Sequence, residues 1–243
     1  MKKKKKRLDE ILIEKGFAKD THAAFVLVTG GRVLVDGHRA VSPAEIITQR
    51  ARIDMPQENG YVGRAAHKLA AALDAFAVDP AGKICADIGA ATGGFSEVLL
   101  RRGAAQVYAI DTARGKLAYK IRQEPRVVVM EQTDVRDLKN LPDQIALAVI
   151  DVSLVPLASI LGAVRRLIRP DAAVVALFKP QYETRDAAVL RHGVIRDPAE
   201  REKLLADFGE WARTHDWVIQ GQVESPIRGN KGNAEYLFFL TNR

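Results

Sequence analysis

The sequence holds a single cysteine, Cys85, among 243 residues. No disulfide can form within the chain, which fits a reducing compartment such as the cytoplasm. It also lacks any apolar run of membrane-spanning length, so no membrane partner is expected. The lysine run at 2–6 has the charge of a signal-peptide start. Arg7-Leu8-Asp9-Glu10 follows where an apolar stretch belongs, so the run does not read as one. No internal repeat is present. What the chain does carry is a net charge of +7 and a hydrophobic content of 47%. The apolar content is enough for a full core, and the length suits one large domain or a medium domain with a small companion. The charge favours a polyanionic partner such as nucleic acid.

Two patterns divide the chain. Residues 7 to about 53 read as a small α+β unit. Leu8, Ile11 and Leu12 recur at helical spacing, and Gly16 ends that helix. A second short helix is predicted over 23–28, broken by Gly30-Gly31. Val33 and Val35 alternate as a strand does, Asp36-Gly37 is a hairpin turn, and 46–53 offers a final strand. Residues 55–60, polar and containing Pro56 and Gly60, read as a linker. The expected division is therefore 1–55, a linker at 56–61, and 62–243. Beyond Val62, short apolar runs at 85–89, 107–111, 127–130, 146–151 and 172–179 predict strands, and 94–102, 114–123, 157–168 and 198–214 predict helices. This alternation predicts an α/β fold with a mostly parallel sheet. Residues 217–224 and 235–240 complete seven strands with an antiparallel edge.

Asp87-Ile88-Gly89-Ala90-Ala91-Thr92-Gly93-Gly94-Phe95 falls between the first of these strands and its helix. Glycines there permit a tight turn and close approach of a ligand. The spacing departs from the Gly-x-Gly-x-x-Gly of dinucleotide enzymes. Asp87, at the strand end, is poorly placed beside a pyrophosphate but well placed for the ammonium group of a bound methionine. Asp111 ends the second strand, where an acid binds ribose hydroxyls. Asp134, after the third, can accept from an adenine amino group. Aspartates also cap helices, but three at the carboxyl ends of successive strands point to a site. The expected cofactor-binding set is Asp87, Gly89, Ala90, Thr92, Gly93, Gly94, Phe95, Asp111, Asp134 and Asp151.

Two resemblances follow. Arg7-Leu8-Asp9, Leu12, Gly16-Phe17-Ala18 and Gly31-Arg32-Val33-Leu34-Val35-Asp36-Gly37 resemble the alpha-L RNA-binding domain, first described in a small-subunit ribosomal protein. Thr21-His22 stands where that family has Ser-Arg, which leaves a weaker, pH-sensitive group. The resemblance implies RNA contacts from Arg7, His22 and Arg32 beside the lysine tail, with mostly salt-dependent affinity. Further on, the run from Tyr61 to Leu69, the glycine-rich loop, Asp151-Val152-Ser153, Lys179-Pro180-Gln181-Tyr182-Glu183, Ser225-Pro226-Ile227 and Gly232-Asn233-Ala234-Glu235-Tyr236 occur in the order of one family. The chain resembles the TlyA family, historically named haemolysins, whose methyltransferase domain is similar to the FtsJ ribose methyltransferases. Gly63 and Ala65 replace that family's serine and glycine, and Asp134 its asparagine.

The resemblance implies a Rossmann-like class I methyltransferase domain and transfer of a methyl group from S-adenosylmethionine to a cytidine 2'-hydroxyl of ribosomal RNA. The family's Lys-Asp-Lys-Glu tetrad falls on Lys68, Asp151, Lys179 and Glu235. Lys179 is then the expected general base, its pKa lowered by burial and by the nearby Lys68 cation. Asp151 orients the amine, and Glu235 orients Lys68 or the ribose. No metal is expected, because a sulfonium leaving group already activates the methyl. Arg64, Arg228 and Lys231, with Arg114, Lys116 and Lys120, are candidates for a basic rim around the site.

Other methyltransferase chemistries fit the residues less well. Carbon-5 enzymes use a Pro-Cys nucleophile, whereas Cys85 follows Ile84 within a predicted strand. Amine methylation often places Asn/Asp-Pro-Pro-Tyr after the fourth strand, where this chain has Asp151-Val152-Ser153-Leu154; Lys179-Pro180-Gln181-Tyr182 resembles that motif one strand later, which keeps amine methylation as a minor alternative. Outside enzymes, the rivals are a non-catalytic RNA-binding or ribosome-assembly factor and, given the family's historical name, a pore-forming haemolysin. The complete tetrad argues against the first, and the absence of a signal stretch or span against the second.

Overall fold

The computed structural model describes residues 5–29, 32–55, 60–184, 186–229 and 231–242. Lysines 2–4 of the basic tail, Gly30-Gly31 and linker residues 56–59 lie outside them. The chain divides into two compact units, Met1–Gly60 and Tyr61–Arg243.

In the first unit, β1 (Lys5–Arg7) leads into α1 (Leu8–Glu14), α2 (Thr21–Thr29), β2 (Leu34–Val35), β3 (His38–Arg39), β4 (Ile46–Thr48) and β5 (Ile53–Asp54). Leu8, Ile11 and Leu12 on one face of α1 pack with Ala24 and Val28 of α2 and with Val33 and Ile47. Gly16, at φ +75°, closes the first helix as its missing side chain allows. Asp20 accepts a hydrogen bond from the Ala23 amide at 2.7 Å and so starts α2 before the predicted position. Asp36 and Gly37 both take positive φ, the geometry of a tight two-residue hairpin, and join β2 to β3. The single strand expected over 46–53 is instead two. β4 pairs with β1, whereas β5 pairs with β2. A turn closed by Ala51 N to Thr48 O at 2.9 Å carries the chain between the two pairings.

The second unit comprises α3 (Ala65–Ala75), β6 (Ile84–Ile88), α4 (Gly94–Arg101), β7 (Gln106–Asp111), α5 (Tyr119–Arg122), β8 (Val127–Glu131), β9 (Ile145–Ile150), α6 (Ala158–Leu167), β10 (Ile168–Phe178), α7 (Pro180–Glu183), the hairpin β11 (Leu190–Arg191) and β12 (Val194–Ile195), α8 (Pro198–Thr214), β13 (Trp217–Glu224) and β14 (Tyr236–Asn242). The predicted mostly parallel seven-stranded sheet is present, in the order β13-β14-β10-β9-β6-β7-β8. β14 runs antiparallel between β10 and β13, and the other six strands all run in one direction. Strand order reverses at β6, which pairs β7 on one side and β9 on the other. Open α/β sheets bind ligands in the crevice that such a reversal leaves at the carboxyl ends.

Both faces of the sheet are covered, so its central strands read as continuous apolar runs. Along β10, Val174, Ala176 and Phe178 enter one core with α6 and α8, while Val175 and Leu177 enter the other with α3 and α4. The helix expected over 114–123 shrinks to α5. Gly115 takes φ +70° and Ala118 is extended. The loop before α5 is held by Gly115 N to Glu131 Oε1 at 2.8 Å and Ala118 N to Thr92 O at 3.1 Å. It thereby lays buried Leu117 beneath Gly93.

Phe178 is fully buried, with ring centroids 5.2 Å from Phe208 and 5.6 Å from Phe238. Phe178→Ala should lower unfolding free energy by about 3–5 kcal/mol, read by urea denaturation.

Candidate active site

Four charged side chains converge at the carboxyl edge of β10. Lys179 follows that strand and Asp151 follows β9. Phe178 pairs with Tyr236, so one further antiparallel step sets Lys179 opposite Glu235. The bond from Ser225 N to Glu235 O at 2.8 Å extends the ladder on the other side. From α3, Lys68 reaches across to an ion pair with Glu235. Lys68, Lys179 and Glu235 are buried, and Asp151 is half-buried. Isolated charges in such a place would be costly; two cations paired with two anions are tolerable.

Lys179 Nζ donates to Asp151 Oδ1 at 2.5 Å, to the Val152 carbonyl at 2.7 Å and to Ser153 Oγ at 2.9 Å. Three acceptors match the three protons of an ammonium. Lys68, the cation expected near Lys179, pairs with Glu235, one of the two partners expected for that carboxylate. Glu235 is in turn confined by Gly229: a Cβ there would overlap its Oε1 and stand 3.1 Å from Cδ. Sequence reasoning singled out neither Ser153 nor Gly229. Ser153 was signalled by its place two residues after Asp151, whereas Gly229 depends on a contact between loop and side chain.

A cavity of about 340 Å³ opens beside this cluster at the strand-order reversal. Gly89, Asp111, Asp134 and Asp151 of the expected cofactor set line it, with Ile110, Val135 and Ile160 as apolar wall. Gly89 takes φ +86°, and a Cβ on it would overlap the Asp151 carbonyl. Asp111 accepts from Ala91 N and Ala113 N, both at 2.7 Å, and so shapes the loop it faces. Asp134 is gripped by Arg136, with Nη2 to Oδ2 at 2.5 Å, and that guanidinium holds its carboxyl below the usual range. Lys116, Arg136, Ser153 and Leu154 also line the cavity, although they were not in the expected cofactor set.

The other expected cofactor residues sit elsewhere. Phe95 and Ala90 belong to the core. Gly93 at φ +89° precedes α4 against Leu117 and Ile121, Gly94 packs on the Ala66 amide, and Thr92 is exposed. Asp87 is fully buried beneath the loop. Its Oδ2 accepts from Ser96 N at 2.8 Å and Ser96 Oγ at 2.6 Å, while Oδ1 is buried without a partner. Desolvation pushes this carboxyl up to about 7 against the two Ser96 bonds, with Asp151 and Asp111 adding to the rise. Cys85 is buried, and burial pushes its thiol up to about 12, which suits core packing rather than a nucleophile.

Of the expected RNA-facing residues, Arg7, His22 and Arg32 belong to the first unit and Arg64, Arg228 and Lys231 to the second. Arg7 is forked onto Asp9 at 3.0 and 2.6 Å, His22 is exposed on α2, and Arg32 is half-buried. Arg64 is exposed just before α3. Exposed Arg228 lies 3.3 Å from Glu224, and Lys231 is exposed in the loop entering β14. Of the wider rim, Lys120 is drawn 2.8 Å from Glu97.

This sheet order, with a charged cluster and cavity at the carboxyl edge, defines a Rossmann-like methyltransferase. The chain belongs to the TlyA family of FtsJ-like methyltransferases: residues 61–242 match the FtsJ-like methyltransferase family, and residues 6–53 match the S4 domain. It is 40% identical over 238 residues to the 16S/23S rRNA (cytidine-2'-O)-methyltransferase TlyA of Mycobacterium tuberculosis, covering 96% of this chain and 89% of that relative. Hemolysin A of Brachyspira hyodysenteriae is 35% identical over 95% of this chain and 98% of its own length. A solved hemolysin-named protein from Streptococcus thermophilus superposes with a TM-score of 0.75 at 33% identity, covering 99% of this chain and 89% of that one. No helix among the described residues is long and apolar enough to cross a membrane.

Gly229→Ala should displace Glu235 from Lys68; a misplacement of about 1 Å can cost about 100-fold in rate, and a loss of that order is expected in methyl transfer with the fold retained by circular dichroism. Asp87 supplies a pH test. Its raised folded pKa makes stability greatest where the group is protonated and lost as pH rises through about 7. Melting temperature of the ligand-free protein should therefore fall between about pH 4 and pH 7 and level off above, and Asp87→Asn should flatten that fall.

Proposed function

We propose that this protein methylates a ribose 2'-hydroxyl of ribosomal RNA, at a cytidine, using S-adenosylmethionine, with Lys179 as general base. The observation that carries the reading is a pair of ion pairs at the carboxyl edge of the sheet, Lys179–Asp151 and Lys68–Glu235, with residues 179 and 235 opposite one another in register and Asp151 lining the cavity. The cytidine-2'-O-methyltransferase activity of the Mycobacterium tuberculosis relative supports the substrate class, and the S4 match supports an RNA partner. Such a substrate puts the enzyme in the cytoplasm, where a single buried thiol stays reduced.

The residues present fit the cofactor. The unpartnered, buried Asp87 Oδ1 suits a methionyl ammonium, Gly89 lets its loop pack on the Asp151 carbonyl at the cavity wall, and Asp111 and Asp134 suit ribose hydroxyls and adenine amine. When bound, S-adenosylmethionine supplies an electrophilic methyl on a sulfonium. The protein's part is to orient the 2'-hydroxyl in line and take its proton. Asp151 and the Val152 carbonyl only accept hydrogen bonds, so each can keep one N–H of a neutral Lys179. Ser153 can reverse, because its hydroxyl either accepts or donates. The lone pair of the neutral amine then lies in the direction Ser153 marks, where a substrate hydroxyl can replace it. Glu235 holds Lys68, and the two frame the ribose from the side of α3.

Lys179→Ala should lower methyl transfer to unmethylated ribosomal RNA by about 10²- to 10⁴-fold, with cofactor affinity by calorimetry nearly unchanged. Near-normal turnover would remove Lys179 from the role. Product whose ribose 2'-hydroxyls are all free would remove the ribose reading itself.

A further inference from the structure

Two segments distant in sequence are stitched together beside the reaction centre. α7 begins one residue after Lys179 and leads to the β11–β12 hairpin, and β12 packs against both α7 and α8. The hairpin turns on His192 and Gly193, at φ 55° and 80°. The other segment, 225–235, enters β14 and delivers Glu235. Asn233, only 4% exposed, joins them. Its Nδ2 donates to the Gly193 carbonyl at 2.9 Å, and its Oδ1 accepts from Ile195 N at 3.1 Å, across 38 residues of chain. Its own carbonyl accepts from Gly229 N at 2.9 Å, the glycine that confines Glu235. Lys231 lies over the hairpin turn, its Nζ 3.0 Å from where a Gly193 Cβ would stand.

A buried amide with both ends bonded fixes the geometry of what it joins, since leaving either end unpaired is costly. Apart from Glu235 at the reaction centre, the charge on the stitched element is one-sided. Residues 190–196 and 225–235 contain Arg191, His192, Arg196, Lys231 and Arg228, the last 3.3 Å from Glu224, and no other Asp or Glu. His192, Arg196 and Lys231 are exposed. Held rigidly next to Lys179 and Glu235, such a surface matches the phosphates that flank a ribose. Phosphate contacts set the register of a nucleic acid without reading its bases.

Resting on the ribose-methyltransferase reading, we propose that this hairpin and loop form one docking surface for the phosphate backbone of substrate RNA beside the target nucleotide, with Asn233 as the positioning residue that couples that surface to Glu235. The consequence is a division of labour: the exposed cations hold the RNA, and Asn233 transmits their position to the reaction centre.

The test uses the full chain and an unmethylated ribosomal RNA fragment, with binding followed by fluorescence anisotropy across a salt series. Arg196→Ala and Lys231→Ala, both at exposed positions, should each weaken binding and reduce the slope of log affinity against log salt by roughly one. Each should raise KM for RNA more than it lowers kcat and leave cofactor affinity unchanged. Asn233→Ala should raise KM and lower kcat together, because Glu235 loses its reference. A double variant Arg196→Ala/Lys231→Ala with wild-type affinity and salt slope overturns the inference while wild-type methylation leaves the ribose reading standing. A wild-type protein that neither binds nor methylates the RNA overturns both.

Discussion

Insertion of β14 between β10 and β13 is the constraint on which the reaction centre depends. A last strand running parallel, or added at the edge, would not bring residue 235 opposite residue 179. The antiparallel register does so within one step of the Phe178–Tyr236 pair. Glu235 then receives Lys68 from α3, so the end of the chain and the first helix of this unit meet over the edge of the sheet. Buried charge makes the meeting obligatory: removing one partner of such a pair costs about 3–5 kcal/mol, because the other is left uncompensated. The four groups are thus structural cross-links as well as chemical ones.

The cavity obeys a related economy. Asp111 spends hydrogen-bonding capacity on two backbone amides and Asp134 on Arg136, so these acids first build the loops they face. Asp87 differs. One of its oxygens secures the start of α4 through Ser96, while the other lies buried with no partner. A carboxyl held up to about 7 by desolvation is ready to ionise when a cation arrives. On the far wall, Lys179 bonds Val152 and Ser153, and Glu183, itself raised to about 7 by burial, accepts from Leu157 N at 2.9 Å. One short segment after β10 therefore holds both ends of the 151–157 loop that lines the cavity.

Legibility in the sequence was uneven for physical reasons. Central strands were plain because burial on both faces leaves unbroken apolar runs, as at 145–150. The 114–123 helix was over-extended because Leu117 and Ile121 share helical spacing, yet Leu117 is buried from a loop. In the first unit, 46–53 has the composition of one strand, but its two halves found different partners. Among site residues, aspartates at strand ends were legible by position. Gly229 and Asn233 were not, since each acts through a neighbour that the chain order does not specify.

What the sequence by itself determined is the alternation of strands and helices, the acids at the carboxyl ends and the order of the family's motifs, because these follow from local periodicity and composition. Tertiary structure alone decided which charges are paired. Lys68 and Glu235 are 167 residues apart, and nothing local in either predicts the other. It also decided that Glu235 takes Lys68 as its partner, and that most glycines of the 87–95 loop serve packing while Gly89 faces the cavity. Pairing energies depend on distance and dielectric, and both are set only when the sheet closes and excludes water from its edge.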